Sequence, residues 1–266
     1  MALEIVVCIK QVPDPEQFSK ITLDPVKGTI RREGIPSVIN PLDKHAIEEA
    51  LLIREKFSGR VTAISMGPPQ AKEALQEALA MGVDEAVLLC DRALAGADTW
   101  ATAYPLAEAI KKLGKFDIIL CGNETVDGAT AQVGPQLAEF LNIPHVTNVT
   151  AIEFTSEKSW NVRRAIERGY MKVALELPSL ITVLKDINQP RLPSVIAIME
   201  AAGREIRSWG CGDMCLAENV VGLVGSPTQV VGTFEQEVKR AREIIRGSEA
   251  EVAKKAVKRL KELGAL

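Results

Sequence analysis

An α/β fold built on a doubly wound, mostly parallel sheet is predicted by three features of the sequence. Short apolar runs alternate with longer stretches of helical periodicity from the first residues to about residue 141. Helix-starting and helix-stopping residues punctuate the longer stretches. Two unusual connections follow the first and fourth apolar runs, where a parallel sheet places ligand-binding loops. An antiparallel addition after residue 145 and a helical C-terminal arm complete the prediction. The division expected is an α/β nucleotide-binding domain over residues 1–190, followed by a partner-docking loop and arm over 191–266.

The elements follow in order. Residues 4–10 (EIVVCIK) read as a buried strand. Lys10 breaks the apolar run and no basic segment precedes it, so the start reads as structure and not as a signal peptide. The next thirty residues carry Pro13, Pro15, Pro25, Gly28, Gly34 and Pro36. A connection this long in a compact domain is functional or holds a small hairpin. Asn40-Pro41-Leu42-Asp43 opens a helix: Asn40 suits the N-cap, Pro41 the first turn and Asp43 the dipole. Its apolar positions 46, 47, 50, 51 and 53 share one face. Strands are then expected at 61–66, 86–90 and 117–121, with helices at 69–81, 98–113 and 130–141. HVTNVTAIEF, WNVRRAIERGY, MKVALELP and SLITVL read as the antiparallel addition. A short apolar helix, PSVIAIMEAAG, follows a Pro-rich turn, and charged helices are expected at 234–247 and 249–263.

Composition narrows the function. The chain is 47% hydrophobic and 25% charged with a net charge of −3, so nothing favours nucleic acid or an anionic membrane as partner. No run reaches the roughly eighteen apolar residues that a membrane span needs. The cysteines, Cys8, Cys90, Cys121, Cys211 and Cys215, are odd in number and lack a CxxC, which fits free thiols in a reducing cytoplasm. Cys211 and Cys215 are either a metal or redox pair or an incidental pair in a loop. Two histidines, His45 and His145, exclude a histidine-rich metal site and argue against a Ser-His-Asp triad.

The chemistry concentrates in the loop from Cys121 to Gly134. Asn123, Thr125, Val126, Asp127, Gly128, Ala129, Thr130, Ala131, Gln132 and Val133 run into a helix N-terminus. Unpaired amides and the helix dipole favour an anion there, and small side chains let a phosphate approach the backbone. The alternative is a capped helix with a flexible entry. The spacing matches neither GxGxxG nor GxxxxGK[ST]. Asn40 and Asp43 either reach this pocket, cap their helix, or do both. Lys10 is a phosphate counter-ion or an exposed charge. No catalytic constellation is present, so any chemistry comes from a cofactor.

Five strings carry a resemblance: CIKQVPD at 8–14, NPLDKHAIEEAL at 40–51, ALAMGVDEA at 78–86, DGATAQVGPQLAE at 127–139 and TVLKDINQPRLPS at 182–194. In order and spacing they resemble the β-subunit of electron-transfer flavoproteins, to about residue 200 and weakly beyond. The resemblance implies a Rossmann-like fold of the adenine nucleotide α-hydrolase type and a heterodimer with an α-subunit that carries a flavin. It implies AMP in ordinary members, and a second FAD in members that bifurcate electrons from NADH. Carried over by position, nucleotide contacts fall on Cys8, Asn40 to Asp43, Met66, and Val126 to about Leu137.

AMP-type members resemble DDDxNQTGQ at the diphosphate loop. Here the string begins Asp127-Gly128-Ala129, and two acidic positions have become small. AGADTWATAY at 95–104 is similar to the FAD-carrying branch and implies Thr99 and Thr102 near the flavin. FAD is therefore expected over AMP, with NADH as transient electron donor. The acidic position of the family's NEPR string is Gln189 here. Leu192 to Ala201 aligns with a loop that docks acyl-CoA dehydrogenases, with Val195 as the expected contact. The competing classes are an AMP-binding electron shuttle and a non-redox module like the universal stress proteins. An ATP pyrophosphatase-type ligase lacks its SGGxDS string.

Overall fold

The computed structural model describes residues 2–20, 22–23, 30–31, 35–156, 159–232 and 242–266. The chain forms two compact units, one ending at Val231 and one spanning Gly232–Leu266. The alternation read from the sequence appears as β1 (Leu3–Cys8), α1 (Pro41–Phe57), β2 (Gly59–Met66), α2 (Lys72–Met81), β3 (Glu85–Leu89), α3 (Thr99–Leu113), β4 (Ile118–Gly122) and α4 (Val133–Leu141). Then come β5 (His145–Phe154), β6 (Ser159–Ile166), β7 (Gly169–Glu176), β8 (Ser179–Val183), α5 (Val195–Ala202) and β9 (Arg207–Trp209).

The nine strands make one sheet in the order β7-β6-β5-β8-β4-β1-β2-β3-β9. Strand order reverses around β1, which pairs in parallel with β2 on one side and β4 on the other. A crevice opens beyond the carboxyl ends of strands at such a point. Within this sheet the antiparallel pairings are β5 with β6 and β6 with β7. The expectation that SLITVL belongs with them is corrected: β8 lies parallel between β4 and β5. Its five residues are all buried, as a strand covered on both faces requires. The sheet also passes the expected boundary at residue 190, because β9 pairs with β3.

Both faces of the sheet are covered. Leu3, Ile5 and Val7 of β1 point into a core shared with α1 and α2, while Val6 and Cys8 point into one shared with α3 and α4. This alternation is the period of two of a strand, and each fully buried Leu, Ile or Val side chain contributes roughly 1.5–3 kcal/mol. An aromatic cluster fastens the antiparallel addition to the end of α1. Trp160 packs 6.1 Å from Phe57 and 5.0 Å from Phe154, ring centre to ring centre.

The long connection after β1 holds a hairpin, as its length suggested: Gln11–Pro13 pairs antiparallel with Ser37–Ile39. In the second unit, the expected helix 249–263 is present as α6 (Glu249–Glu262), opened by a capping box between Ser248 and Glu251. The expected helix at 234–247 is not borne out where it can be seen. Residues 234–241 lie outside the described residues, and 242–247 are not helical.

Candidate nucleotide-binding site

The crevice is built where β1 and β4 end side by side, with Cys8 in register with Cys121. Asp43, in the first turn of α1, ties the two strand ends together. Its carboxylate accepts hydrogen bonds from the Lys10 amide at 2.8 Å and the Gly122 amide at 3.0 Å. Asn40 does the same for the following loop. Its side-chain amide donates to the Glu124 carbonyl at 3.0 Å, and its oxygen accepts from the Val126 amide at 3.1 Å. Asn40 therefore occupies the N-cap position but makes no side-chain cap bond to its own helix. The capping role expected for it is corrected, because its polar atoms are spent on the loop.

The loop after β4 is tightly turned. The amides of Gly128 and Ala129 both donate to the Thr125 carbonyl, at 3.3 and 2.7 Å. Ala129 and Ala131 adopt left-handed backbone, at φ 48° and 53°. That conformation costs an L-residue about 1–2 kcal/mol, so the surrounding contacts hold the turn against its own preference. Asn123 anchors the near side, its amide donating to the Val183 carbonyl and its oxygen accepting from the Thr182 hydroxyl at 2.8 Å. The far side runs into α4, whose N-cap residue Gln132 supplies no side-chain cap. The first-turn amides of α4 thus lack an intrahelical partner. Gly134 lets α4 sit directly on the sheet, since a Cβ there would stand 2.6 Å from Thr182 Cγ2.

Charge is balanced across the mouth. Lys10 Nζ lies 2.7 Å from Asp127, whose side chain is only 5% exposed while that of Lys10 is 42% exposed. Burial pushes the Asp43 carboxyl up to about 7, against the opposing pull of Asn40, the two amides and Lys10. Burial, and then the neighbouring Asp43, push the Cys8 thiol up to about 12, and burial raises Cys121 as well. Both therefore stay protonated and act as packing groups, not nucleophiles.

Of the residues expected at the site, Lys10, Asn40, Asp43, Asn123, Val126 and Asp127 are joined through these bonds. Gly128, Ala129, Thr130, Ala131, Gln132 and Val133 form the turn into α4. Thr99 opens α3 and its hydroxyl donates to Gln132 Oε1 at 3.1 Å, which brings the 95–104 segment to the same mouth. Thr102 lies half-buried one turn further along. Met66 ends β2, beside β1. Sequence reading missed the clasp behind Thr99. Asp98 caps α3 through Ala101, accepts from the Thr228 amide and hydroxyl, and donates its own amide to Ser226 Oγ at 2.8 Å. Its partners lie 128 and 130 residues away, so no local pattern announces them.

Residues 27–211 match the electron transfer flavoprotein domain. Over 260 residues the chain is 49% identical to the electron transfer flavoprotein subunit beta of Clostridium acetobutylicum, covering 98% of each chain. The chain belongs to the electron-transfer flavoprotein β-subunit family. The subunit beta of Thermoanaerobacterium thermosaccharolyticum is 50% identical over 259 residues, with 97% of this chain and 98% of the relative covered. The caffeyl-CoA reductase-Etf complex subunit CarD of Acetobacterium woodii is 46% identical, with 98% of each chain covered. Among the described residues of this β-subunit, no helix is long and apolar enough to cross a membrane. None of its described His, Cys, Asp and Glu residues group in threes as a metal site would require.

Proposed function

We propose that this β-subunit carries FAD in its crevice, accepts a hydride on that flavin from NADH, and passes electrons through an α-subunit flavin to a partner dehydrogenase, as flavin-based electron bifurcation requires. The observation that carries the reading is the Asp127–Gly134 turn. Its only acidic side chain is buried against Lys10, its remaining side chains up to α4 are small or uncharged, and it ends on an uncapped helix start. A diphosphate meets amides there, beside the half-exposed Lys10 ammonium. The name of the Acetobacterium woodii relative, which places it in a caffeyl-CoA reductase-Etf complex, fits a bifurcating partner dehydrogenase of the acyl-CoA type.

The chain's own residues bind and orient. The turn and Lys10 hold the diphosphate; Asn40 and Asp43 keep the turn against the strand ends. Thr99 and Thr102 offer hydroxyls to the flavin ring edge and tune its potential more than its occupancy. FAD, when bound, supplies the acceptance of a hydride and the release of electrons. No acid, base or nucleophile of the protein is needed, because orientation and electrostatics suffice. The partner dehydrogenase docks on α5. There Val195, Ile196 and Met199 are exposed, and Ser194 caps the helix through Ala197. The five cysteines are all free, which fits a cytoplasmic setting.

The test is direct. The heterodimer should release two FAD on denaturation and be reduced rapidly by NADH in stopped flow. Gly128→Asp should weaken the β-site FAD by on the order of 1–3 kcal/mol through charge repulsion and lost backbone approach. Release of AMP with a single FAD, and no bleaching by NADH, would make the chain an ordinary electron shuttle subunit.

A further inference from the structure

Lys10 and Asp127 face each other across the mouth of the crevice. The ammonium lies 2.7 Å from one carboxylate oxygen and 2.9 Å from the other, so it spans both. The Asp127 side chain is 5% exposed and that of Lys10 42%, so solvent reaches the bridge mainly from the lysine side. The backbone at both ends is fixed, and by one residue. Asn40, fully buried, donates its amide to the Lys10 carbonyl at 2.9 Å. Its side chain holds the Glu124 carbonyl and the Val126 amide, directly before Asp127. The Lys10 amide is held in turn by Asp43. What is left to move is the stem of Lys10, a flexible chain that ends in a compact charge.

That charge is contested. Asp127 opens the turn that runs into α4, so a phosphate at the start of α4 and the Asp127 carboxylate both draw on one ammonium. A diphosphate carries more negative charge than a carboxylate, and short-range attraction favours the more highly charged anion. We propose that Lys10 is a latch: its ammonium rests on Asp127 until a phosphate-bearing nucleotide takes it over. The inference rests on the reading of the crevice as a phosphate site and concerns the regulation of that site. It gives Asp127 a role opposite to that of a ligand contact. Its carboxylate competes with the guest, so it lowers affinity and keeps the nucleotide exchangeable. Asn40 then matters twice, because it holds the two ends of the latch in register while the lysine stem swings.

The heterodimer, dialysed to remove the nucleotide of the crevice, is titrated with FAD and separately with AMP. Asp127→Asn should tighten whichever nucleotide the crevice takes by about fivefold, and Lys10→Met should weaken it about tenfold. The double-mutant cycle separates a latch from simple repulsion. If Lys10 leaves Asp127 on binding, Asp127→Asn gains more with Lys10 present than in the Lys10→Met background, because only then is a bridge broken. If the bridge persists in the complex, the carboxylate is neutralised throughout, and Asp127→Asn gains less with Lys10 present than without it; that order would overturn the proposal. Weaker binding in Asp127→Asn would overturn it as well, since Asp127 would then support the guest or the turn. Asp127→Ser, also uncharged, gives the same reading if the Asn variant fails to fold. A wild-type complex that takes AMP and no FAD would end the FAD reading alone, and the cycle run with AMP still decides the latch.

Discussion

Asp43 shows how a single buried carboxylate is committed to architecture. Two backbone amides converge on it, one just past the end of β1 and one at the end of β4, and Gly122 is obligatory beside it because a Cβ there would strike the carboxylate and stand 2.8 Å from Leu42 Cβ. Burial raises its folded-state pKa to about 7, above the unfolded value. The protonated form is therefore favoured by folding, so this contribution is full below the unfolded pKa and is lost as pH rises through about 7. Going from pH 8 to pH 5 should add on the order of 2 kcal/mol from this group. Denaturant midpoints at the two pH values, compared between wild type and Asp43→Asn, measure it; an identical pH slope in both proteins would contradict the assignment. Sequence placed Asn40, Asp43, Lys10 and Asp127 at one site but not their bonds. The residue types and the helix start were local signals, while a salt bridge spanning 117 positions, such as Lys10–Asp127, was not.

At the scale of elements, the helices and strands were legible because their periods and stop signals agreed. The C-cap of α2 is Gly82 at φ 117°, and Asp98 and Ser194 cap α3 and α5 through their side chains. What the pattern could not give was pairing direction. SLITV is buried at every position, Ser179 and Thr182 included, and a run with no exposed face does not say whether its neighbours are parallel. Nor could it give the 221–228 segment, whose place on α3 depends on Asp98. Asp98→Ala removes a helix cap and unfastens that segment at once. The cap alone costs about 1 kcal/mol, and hydrogen exchange should show 222–228 opening well before α3 itself. Simultaneous loss of protection in both would mean that the clasp and the helix are one cooperative unit.

For the whole molecule, the decisive feature is that the unit ending at Val231 owns both faces of its sheet. Its cores are complete without α6, so removing residues 234–266 should leave the nucleotide-binding unit folded, with its circular dichroism per residue little changed. Association with an α-subunit should fall away, because α6 is basic and carries an apolar stripe that includes the exposed Val257 and Leu260. Retention of full affinity by the truncated chain would place the partner contact elsewhere. The two-unit division is itself only half visible in sequence. Strands β5 to β8 looked like an ending, but β9 returns to the opposite edge of the sheet and closes it.

Helix α1 serves two masters. Its first turn shapes the nucleotide crevice, and further along Glu48 and Glu55 grip Arg191, with bonds of 2.7 to 2.9 Å from the guanidinium. Asn188 bonds to Glu49 and to the His45 carbonyl, each at 3.0 Å. These are the residues that lead into α5, so the helix proposed above to meet a dehydrogenase is hung from the same rod that frames the nucleotide crevice. For anyone grafting partner preference between relatives, the transferable module is thus discontinuous. Exchanging 188–203 alone would transplant a hook without its hanger, and the matching positions 45, 48, 49 and 55 must travel with it for the recipient to keep both its nucleotide and its new docking angle.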